Sequence, residues 1–499
     1  MPGPNVIVIM SDQMKATSSH LYGSSFCNTP NLERLAKRGV LYKHAVTPHP
    51  LCVPARISFW TSQYPHTHGG RRNETLMPAG ANHAFHHWKA AGYRTGLIGK
   101  NHCFTEQSDL DLLDVHCEIT HGGIPKGAEQ TKGMEWFRPT ESVHEAHSVR
   151  RSMPKISRHF SYAVSDYPLK DYSTGLVCGQ TVHFLETFGQ DPFALWVSIP
   201  DPHTPFETPR QYAEQFGEDV VEMPPYREGE FTDGTAPERN KVMHEMIGMT
   251  DDSEAEKKGV VGVYHAMVKF IDDGVGQIQD ALERLGLNEN TIVVFCSDHG
   301  DFSGEHNMIA KGGAFYDCLT RVPLIVSWPG QLPEGVVDTS MANLIDIVPT
   351  LFSLQGLAPQ TSFEGQPLPT VTDSAPRDAA FSEYGTGGPL FLMDSLRRLP
   401  EPHGRLPYGR SAMGKSLQWR EAEGRRKMVR TPDWKYVHDP MGDLDELYDL
   451  VNDPWELQNV VGDEQNRPIL AELRLKLADW SIDTEDGVKV PLPDEDRYW

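Results

Sequence analysis

The stretch Thr291–Asp301 reads TIVVFCSDHGD. Six apolar or β-branched residues come first, without polar alternation, and Ser-Asp-His-Gly-Asp follows at once. Side chains alternate across a sheet, so a run apolar at every position fits a strand covered on both faces. Four more stretches have this form: NVIVIM (5–10) leads into SDQ, TGLIG (95–99) into KNH, FALWVSIP (193–200) into DPHTPF, and VPLIVSW (322–328) into PG. Helical periodicity alternates with them at 31–39, 83–92, 175–188 and about 259–285. The alternation predicts an α/β fold, with a large, mainly parallel central sheet flanked by helices.

After about residue 370 the texture changes. RKMVRTPDWKYVHDP and DELYDLVNDPWELQNVV read as short strands, a turn and a short helix. We therefore expect a catalytic α/β domain over residues 1–370 and a smaller C-terminal α+β domain with a tail over 371–499. Residues 104–170 and 204–258, rich in histidine, proline and charge, read as long loops over one edge of the sheet.

Ligands of open α/β sheets bind beyond the carboxyl ends of the parallel strands. Reading those ends alone gives Asp12 and Gln13, then Lys100 and His102, then His203, then Asp298 and His299. Singly these residues mean little: Asp12 reads as a turn former and Lys100 as a solvated side chain. His83, His86 and His87 have no claim to attention. Jointly, two carboxylates, an amide oxygen and an imidazole suit a divalent cation. Lys100, His102, His203 and Lys311 suit a tetrahedral oxyanion. A cation and lysines beside a nucleophile are what phosphoryl or sulfuryl transfer requires.

The 499 residues carry a net charge of −23, which disfavours nucleic acid and anionic membranes as partners. An anionic substrate would need positive charge built into the site. The seven cysteines are scattered without a C-x-x-C pair, the usage of a reducing compartment. The apolar run near the N-terminus is too short for a signal h-region or a membrane span. A cytoplasmic location is expected, with no membrane association.

Cys52 lies just ahead of Pro54, which suits the first turn of a helix. That places Cys52 at the positive end of the helix, with Arg56 about one turn on. A structural thiol and a thiolate nucleophile are both open readings of this cysteine.

Cys52-Val53-Pro54-Ala55-Arg56 resembles the C-x-P-x-R signature of the type I sulfatases, within the alkaline phosphatase superfamily. SFWTSQYPHTHG resembles that family's S-x-x-T-G-x-x-P-x-x-x-G continuation, with Gln63 read at the position of the first glycine. GKNH resembles its GKWH element, PDPHTPF its H-x-P segment, and NTIVVFCSDHGDFSGEH its metal-binding strand end. DELYDLVNDPWELQNVV is similar to its C-terminal signature.

The resemblance implies that Cys52 is converted to 3-oxoalanine (formylglycine) by a formylglycine-generating enzyme. The hydrated aldehyde would then be the nucleophile. Asp12, Gln13, Asp298, His299 and residue 52 would bind one divalent ion, Mn2+ or Ca2+. Arg56 would stabilise the nucleophile and His102 would take a proton. Lys100 and Lys311 would bind the anionic oxygens, and His203 or Lys311 would protonate the leaving group.

Gln13 and His299 resemble the branch containing phosphonate monoester hydrolases and choline sulfatases, and Asn73 matches a substrate-contacting asparagine of that branch. Lys100 and His102, both present, favour a sulfate ester. The expected activity is hydrolysis of a small organic or aryl sulfate. Phosphonate monoester or phosphodiester hydrolysis and choline sulfatase activity are the alternatives, and Trp60, Trp136, Tyr498 and Trp499 are the aromatic residues available for a choline cage. A homo-oligomer, dimer or tetramer, is expected.

Overall fold

The computed structural model describes residues 3–73, 75–124, 131–134, 137, 139–152, 162–390, 392–397 and 423–485. Its strands are β1 (Asn5–Asp12), β2 (Gly39–Val46), β3 (Arg94–Gly99), β4 (Val115–Glu118), β5 (Tyr162–Ser165), β6 (Phe193–Pro202), β7 (Phe206–Pro209) and β8 (Thr291–Ser297). Then come β9 (Arg321–Val322), β10 (Leu324–Ser327), β11 (Val336–Asn343), β12 (Ala380–Tyr384), β13 (Arg426–Arg430), β14 (Trp434–His438) and β15 (Glu446–Asp449). The large sheet has the order β11-β2-β10-β8-β1-β6-β3-β4, with β9 pairing to β2. Its centre, β8-β1-β6-β3-β4, is parallel throughout, while β10 runs antiparallel to both β2 and β8.

The continuous apolar runs have the cause their pattern implied. In β1, Val6, Val8 and Met10 belong to one core layer and Ile7 and Ile9 to the other, all fully buried. Each such side chain contributes about 2 kcal/mol by leaving water. The long helix Glu254–Arg284 covers one face, beginning at a capping box formed by Ser253 and Glu256. Its Asp272 accepts hydrogen bonds from the backbone N–H groups of Asn31 and Leu32, at 3.0 and 2.8 Å. That carboxylate thereby caps the neighbouring helix Pro30–Lys37, whose own cap residue Thr29 makes no side-chain capping bond.

Two segments differ from the expected loops. Residues 104–170 supply the edge strand β4, the helix Glu141–Ser152 and β5. Residues 204–258 supply β7, which pairs with β5, the helix Glu238–Ile247 and the first turn of the long helix. Strands of four residues are too short to show a period, so these were not legible.

The C-terminal region forms an antiparallel sheet, β12-β13-β14-β15, covered by the helix Arg467–Glu485 through Val429, Tyr436, Leu447, Leu473 and Trp480. Buried ion pairs dock it on the larger part. Lys435 lies 2.7 Å from Asp317 and 2.6 Å from Glu456, and donates to the Phe315 carbonyl at 2.7 Å. Arg430 grips both oxygens of Asp317 at 3.0 and 2.8 Å. The segment 315–317 that these residues hold lies a few positions beyond Lys311. Among the described residues no helix is long and apolar enough to cross a membrane.

Candidate active site

β1, β3, β6 and β8 are neighbours, so the residues following them meet at one edge of the sheet. Asp12, Gln13, Lys100, His203, Asp298 and His299 all lie there, nearly or wholly buried, and His102 is the exposed member. Gly99 permits the turn after β3: its φ is 112°, and a Cβ there would sit 1.9 Å from the Ser198 carbonyl oxygen. Gln13 and His102 take left-handed backbone with φ of 72° and 62°. Such strain costs on the order of 1–3 kcal/mol per residue and clusters at functional sites. At Gln13 it is held by the backbone N–H on Asp298 Oδ1 at 3.0 Å and by the Tyr264 hydroxyl on its carbonyl at 2.9 Å.

The helix Cys52–Thr61 enters from above, every residue of it buried. Cys52 is its first residue, as the proline spacing implied. Asn73 accepts a hydrogen bond from the Val53 N–H at 3.1 Å, satisfying one orphan donor of the helix start. The helix ends at Ser62, and it is this residue, not Gln63, that takes the motif's glycine position, directly after Thr61 and with a φ of 54°. Trp60 packs within the aromatic core against Phe59, Phe85, Trp88 and Trp196. It is fully buried and so is no wall of a choline cage. Trp136, Tyr498 and Trp499 lie outside the described residues.

Around the Cys52 sulfur stand Lys311 Nζ at 2.8 Å, His299 Nε2 at 3.1 Å, Asp12 Oδ1 at 3.5 Å and Lys100 Nζ at 3.8 Å. Interaction with residue 52 raises the pKa of both His102 and His203, less than their surroundings lower it. Burial alone would push the thiol up, but Lys100, Lys311 and His299 hold it well below its ordinary range. The site is thus built to stabilise negative charge at residue 52. Burial pulls His203 down to about 3, with Lys311 adding to the effect; the enclosed surroundings of the His102 ring and the Lys100 charge lower His102, although the residue keeps an exposed surface. Both imidazoles are therefore neutral near pH 7 and can accept a proton.

Arg56 does not turn toward the sulfur. Its Nε donates to Asp298 Oδ2 at 2.9 Å and Nη2 to Asp12 Oδ2 at 3.2 Å. Its Nη1 donates to the Lys100 carbonyl and to Ser198 Oγ, both at 2.8 Å. Lys100 Nζ also donates to Asp12 Oδ2. Burial and the Cys52 charge push the Asp12 carboxyl up, while Lys100, His203 and Arg56 together hold it below its usual range. Asp12 is thus kept ionised although fully buried.

The donor set fits a divalent cation. Ligand atoms of Asp12, Cys52, Asp298 and His299 lie within 4.8 Å of one another. The Nδ1–H of His299 donates to the Gly300 carbonyl at 2.9 Å, which leaves the Nε2 lone pair facing the cluster. The Gln13 amide donates through Nε2 to Asp301 Oδ2, while its buried Oε1 has no partner. An unpaired buried acceptor beside two carboxylates is costly, and a cation would satisfy it.

Several residues of the site escaped the sequence reading. Ser198 and Asp301 carried a usable signal, lying within or just after strand runs already singled out. His121, whose ring stacks on that of His203 at 4.5 Å, comes from a segment without periodicity. Arg150 binds Asp201 at 2.6 Å and the His203 carbonyl at 3.2 Å, fixing the turn that carries His203.

Comparison with known proteins matches residues 4–357 to the sulfatase family model. The arylsulfatase of Clostridium perfringens is 26% identical, over 94% of this chain and 93% of its own length. The choline-sulfatase of Rhizobium meliloti is also 26% identical, over 97% of this chain and 88% of its own. The crystal structure of a phosphonate monoester hydrolase from Agrobacterium radiobacter superposes with a TM-score of 0.75, covering 96% of each chain at 22% identity. That last likeness is one of fold.

Proposed function

The chain belongs to the sulfatase family and is a sulfuric ester hydrolase, and from that premise we propose that it cleaves small organic or aryl sulfate esters with residue 52 as the nucleophile. The observation that carries this reading is the pair of ammonium groups, Lys311 at 2.8 Å and Lys100 at 3.8 Å, converging on the Cys52 sulfur. In the working enzyme that sulfur stands for the oxygens of a hydrated aldehyde. Two hydroxyl groups on one carbon supply one oxygen to attack sulfur and a second whose deprotonation expels the sulfate.

The chain's own side chains do the rest. Lys100 and Lys311 hold the non-bridging oxygens of the ester and stabilise charge that grows there. His102, neutral and in electrostatic contact with residue 52, takes the proton from the second hydroxyl. Lys311, kept protonated against burial by the negative charge of Cys52, Asp12 and Asp298, gives a proton to the departing alcohol oxygen; His203 is neutral near pH 7 and does not supply it. Arg56 acts as a positioning residue, neutralising Asp12 and Asp298 so that both keep their orientation. Asn73 holds the helix start through Val53. Asp12, Gln13, Asp298 and His299 would hold a divalent ion, Mn2+ or Ca2+, whose chemistry is Lewis-acid stabilisation of the oxyanion and lowering of the nucleophile's pKa. The imidazole favours manganese-like ions over calcium.

Mass spectrometry of the peptide containing residue 52 tests the nucleophile. A mass about 18 Da below that of the thiol is expected, because one sulfur is exchanged for oxygen and two hydrogens are lost. Fully active protein with unmodified cysteine refutes the reading. The substrate is tested by kcat/KM on an aryl sulfate against aryl phosphonate and phosphodiester substrates, and preference for a phosphorus ester would overturn it.

A further inference from the structure

A second cluster lies outside the site just described. His83 precedes the helix Ala84–Ala90, His86 lies within it, and Asp109 belongs to the short helix Gln107–Asp111. One ligand atom from each of the three falls within 4.8 Å of the others. The His83 and His86 rings lie 4.2 Å apart between centroids, and His83 Nε2 is 3.4 Å from Asp109 Oδ1. That last contact is long for a charge-assisted hydrogen bond, which normally closes to about 2.7–2.9 Å.

The unusual feature is what remains unpaired. His83 Nδ1, His86 Nδ1 and Asp109 Oδ2 are all buried atoms with no hydrogen-bond partner. His83 is fully buried and Asp109 is 3% exposed, so bulk water does not reach most of the cluster. Phe104 and Phe85 form apolar walls, with ring centroids 4.8 and 6.1 Å from that of His83. Each lone buried polar atom costs about 1–3 kcal/mol, and one on each of three clustered residues is hard to reconcile with a purely structural histidine–aspartate pair.

We propose that His83, His86 and Asp109 form a second cation site, with zinc the best-matched ion. Two imidazoles and one carboxylate are a donor set that a borderline divalent ion takes, and a fourth position would fall to water. Ligand bonds to zinc are about 2.0–2.2 Å, so the three donors must draw together by roughly 1 Å on binding. The half-buried edge of His86 is the way in.

The place in the fold gives the site a purpose. Asp109 follows the turn bearing Lys100 and His102, and Asn101 closes that turn by accepting from the Phe104 N–H at 2.8 Å. An ion bridging Asp109 to His83 and His86 fastens this segment to the helix behind it. The site is separate from residue 52 and needs no assumption about the nucleophile.

Zinc binding to the chelator-stripped full-length protein decides the matter, read as ions retained per chain after dialysis and as the zinc-induced rise in thermal midpoint. Wild type should retain one zinc beyond any held beside residue 52, and Asp298→Ala should still retain that zinc. His86→Ala and Asp109→Asn should each lose that equivalent and its thermal shift. His86 is only half buried, so His86→Ala keeps the test open if Asp109→Asn fails to fold. Equal zinc content and equal thermal shifts in wild type and His86→Ala would overturn the proposal. So would a single zinc lost on Asp298→Ala, or ordered water on the three unpaired atoms in a zinc-soaked crystal.

Discussion

Replacing Arg56 by methionine keeps most of the side-chain volume and removes the guanidinium that lies between Asp12 and Asp298. Both carboxylates are fully buried. Asp12 keeps Lys100 as a partner, whereas the Oδ2 of Asp298 loses its 2.9 Å bond and Oδ1 retains only the N–H groups of Gln13 and His299. The Lys100 carbonyl and Ser198 Oγ also lose a donor at 2.8 Å. Breaking a buried pair by removing one member costs about 3–5 kcal/mol, because the other charge stays behind uncompensated. With an unfolding entropy of about 2.1 cal/mol/K per residue over 499 residues, a loss of about 4 kcal/mol lowers the thermal midpoint by about 4 °C. The assay is differential scanning calorimetry in chelator, so that bound cations do not substitute for the missing charge. Turnover of an aryl sulfate should fall by about 10²-fold, since Lys100 and the carboxylates lose their common anchor. A midpoint within about 1 °C of wild type would show that Arg56 does not neutralise these carboxylates, and the reasoning would fail.

Asn73→Ala removes the acceptor for the Val53 N–H and should cost about 1 kcal/mol in denaturant titration; an unchanged midpoint would leave Asn73 without this capping role. Acid should act through His265, whose Nδ1–H donates to the Val261 carbonyl at 2.8 Å and whose pKa burial and the Lys15 charge pull down to about 3. The folded pKa lies below the ordinary value of 6.5, so the unfolded chain takes up the proton first as pH falls. The stability involved is complete above about pH 6.5, falls by about 2 kcal/mol at pH 5 and continues to fall towards pH 3. His265→Gln should flatten this limb of a midpoint-against-pH curve, and an identical acid limb would remove His265 as its source.

Much of this protein was written in its strands. TIVVFCSDHGD and NVIVIMSDQ fixed a doubly covered parallel sheet, because only burial on both faces explains apolar residues at consecutive positions. They also placed Asp12, Gln13, Asp298 and His299 at one edge, since strands that lie parallel end on the same side. The Cys52–Arg56 spacing marked the helix start and its first residue by the backbone geometry of proline.

Tertiary structure decided the rest. Arg56 looked aimed at residue 52, yet its donors go to Asp12, Asp298 and Ser198, which only the strand order brings within reach. Trp60 looked available for a cationic ligand, but the helix is enclosed on every side and its indole lies in the core. His83 and His86 looked ordinary until Asp109, more than twenty positions away, folded back beside them. Local sequence reports a residue's own backbone preferences. Which charges face one another across a buried gap depends on chain packing, and no short stretch of sequence contains that.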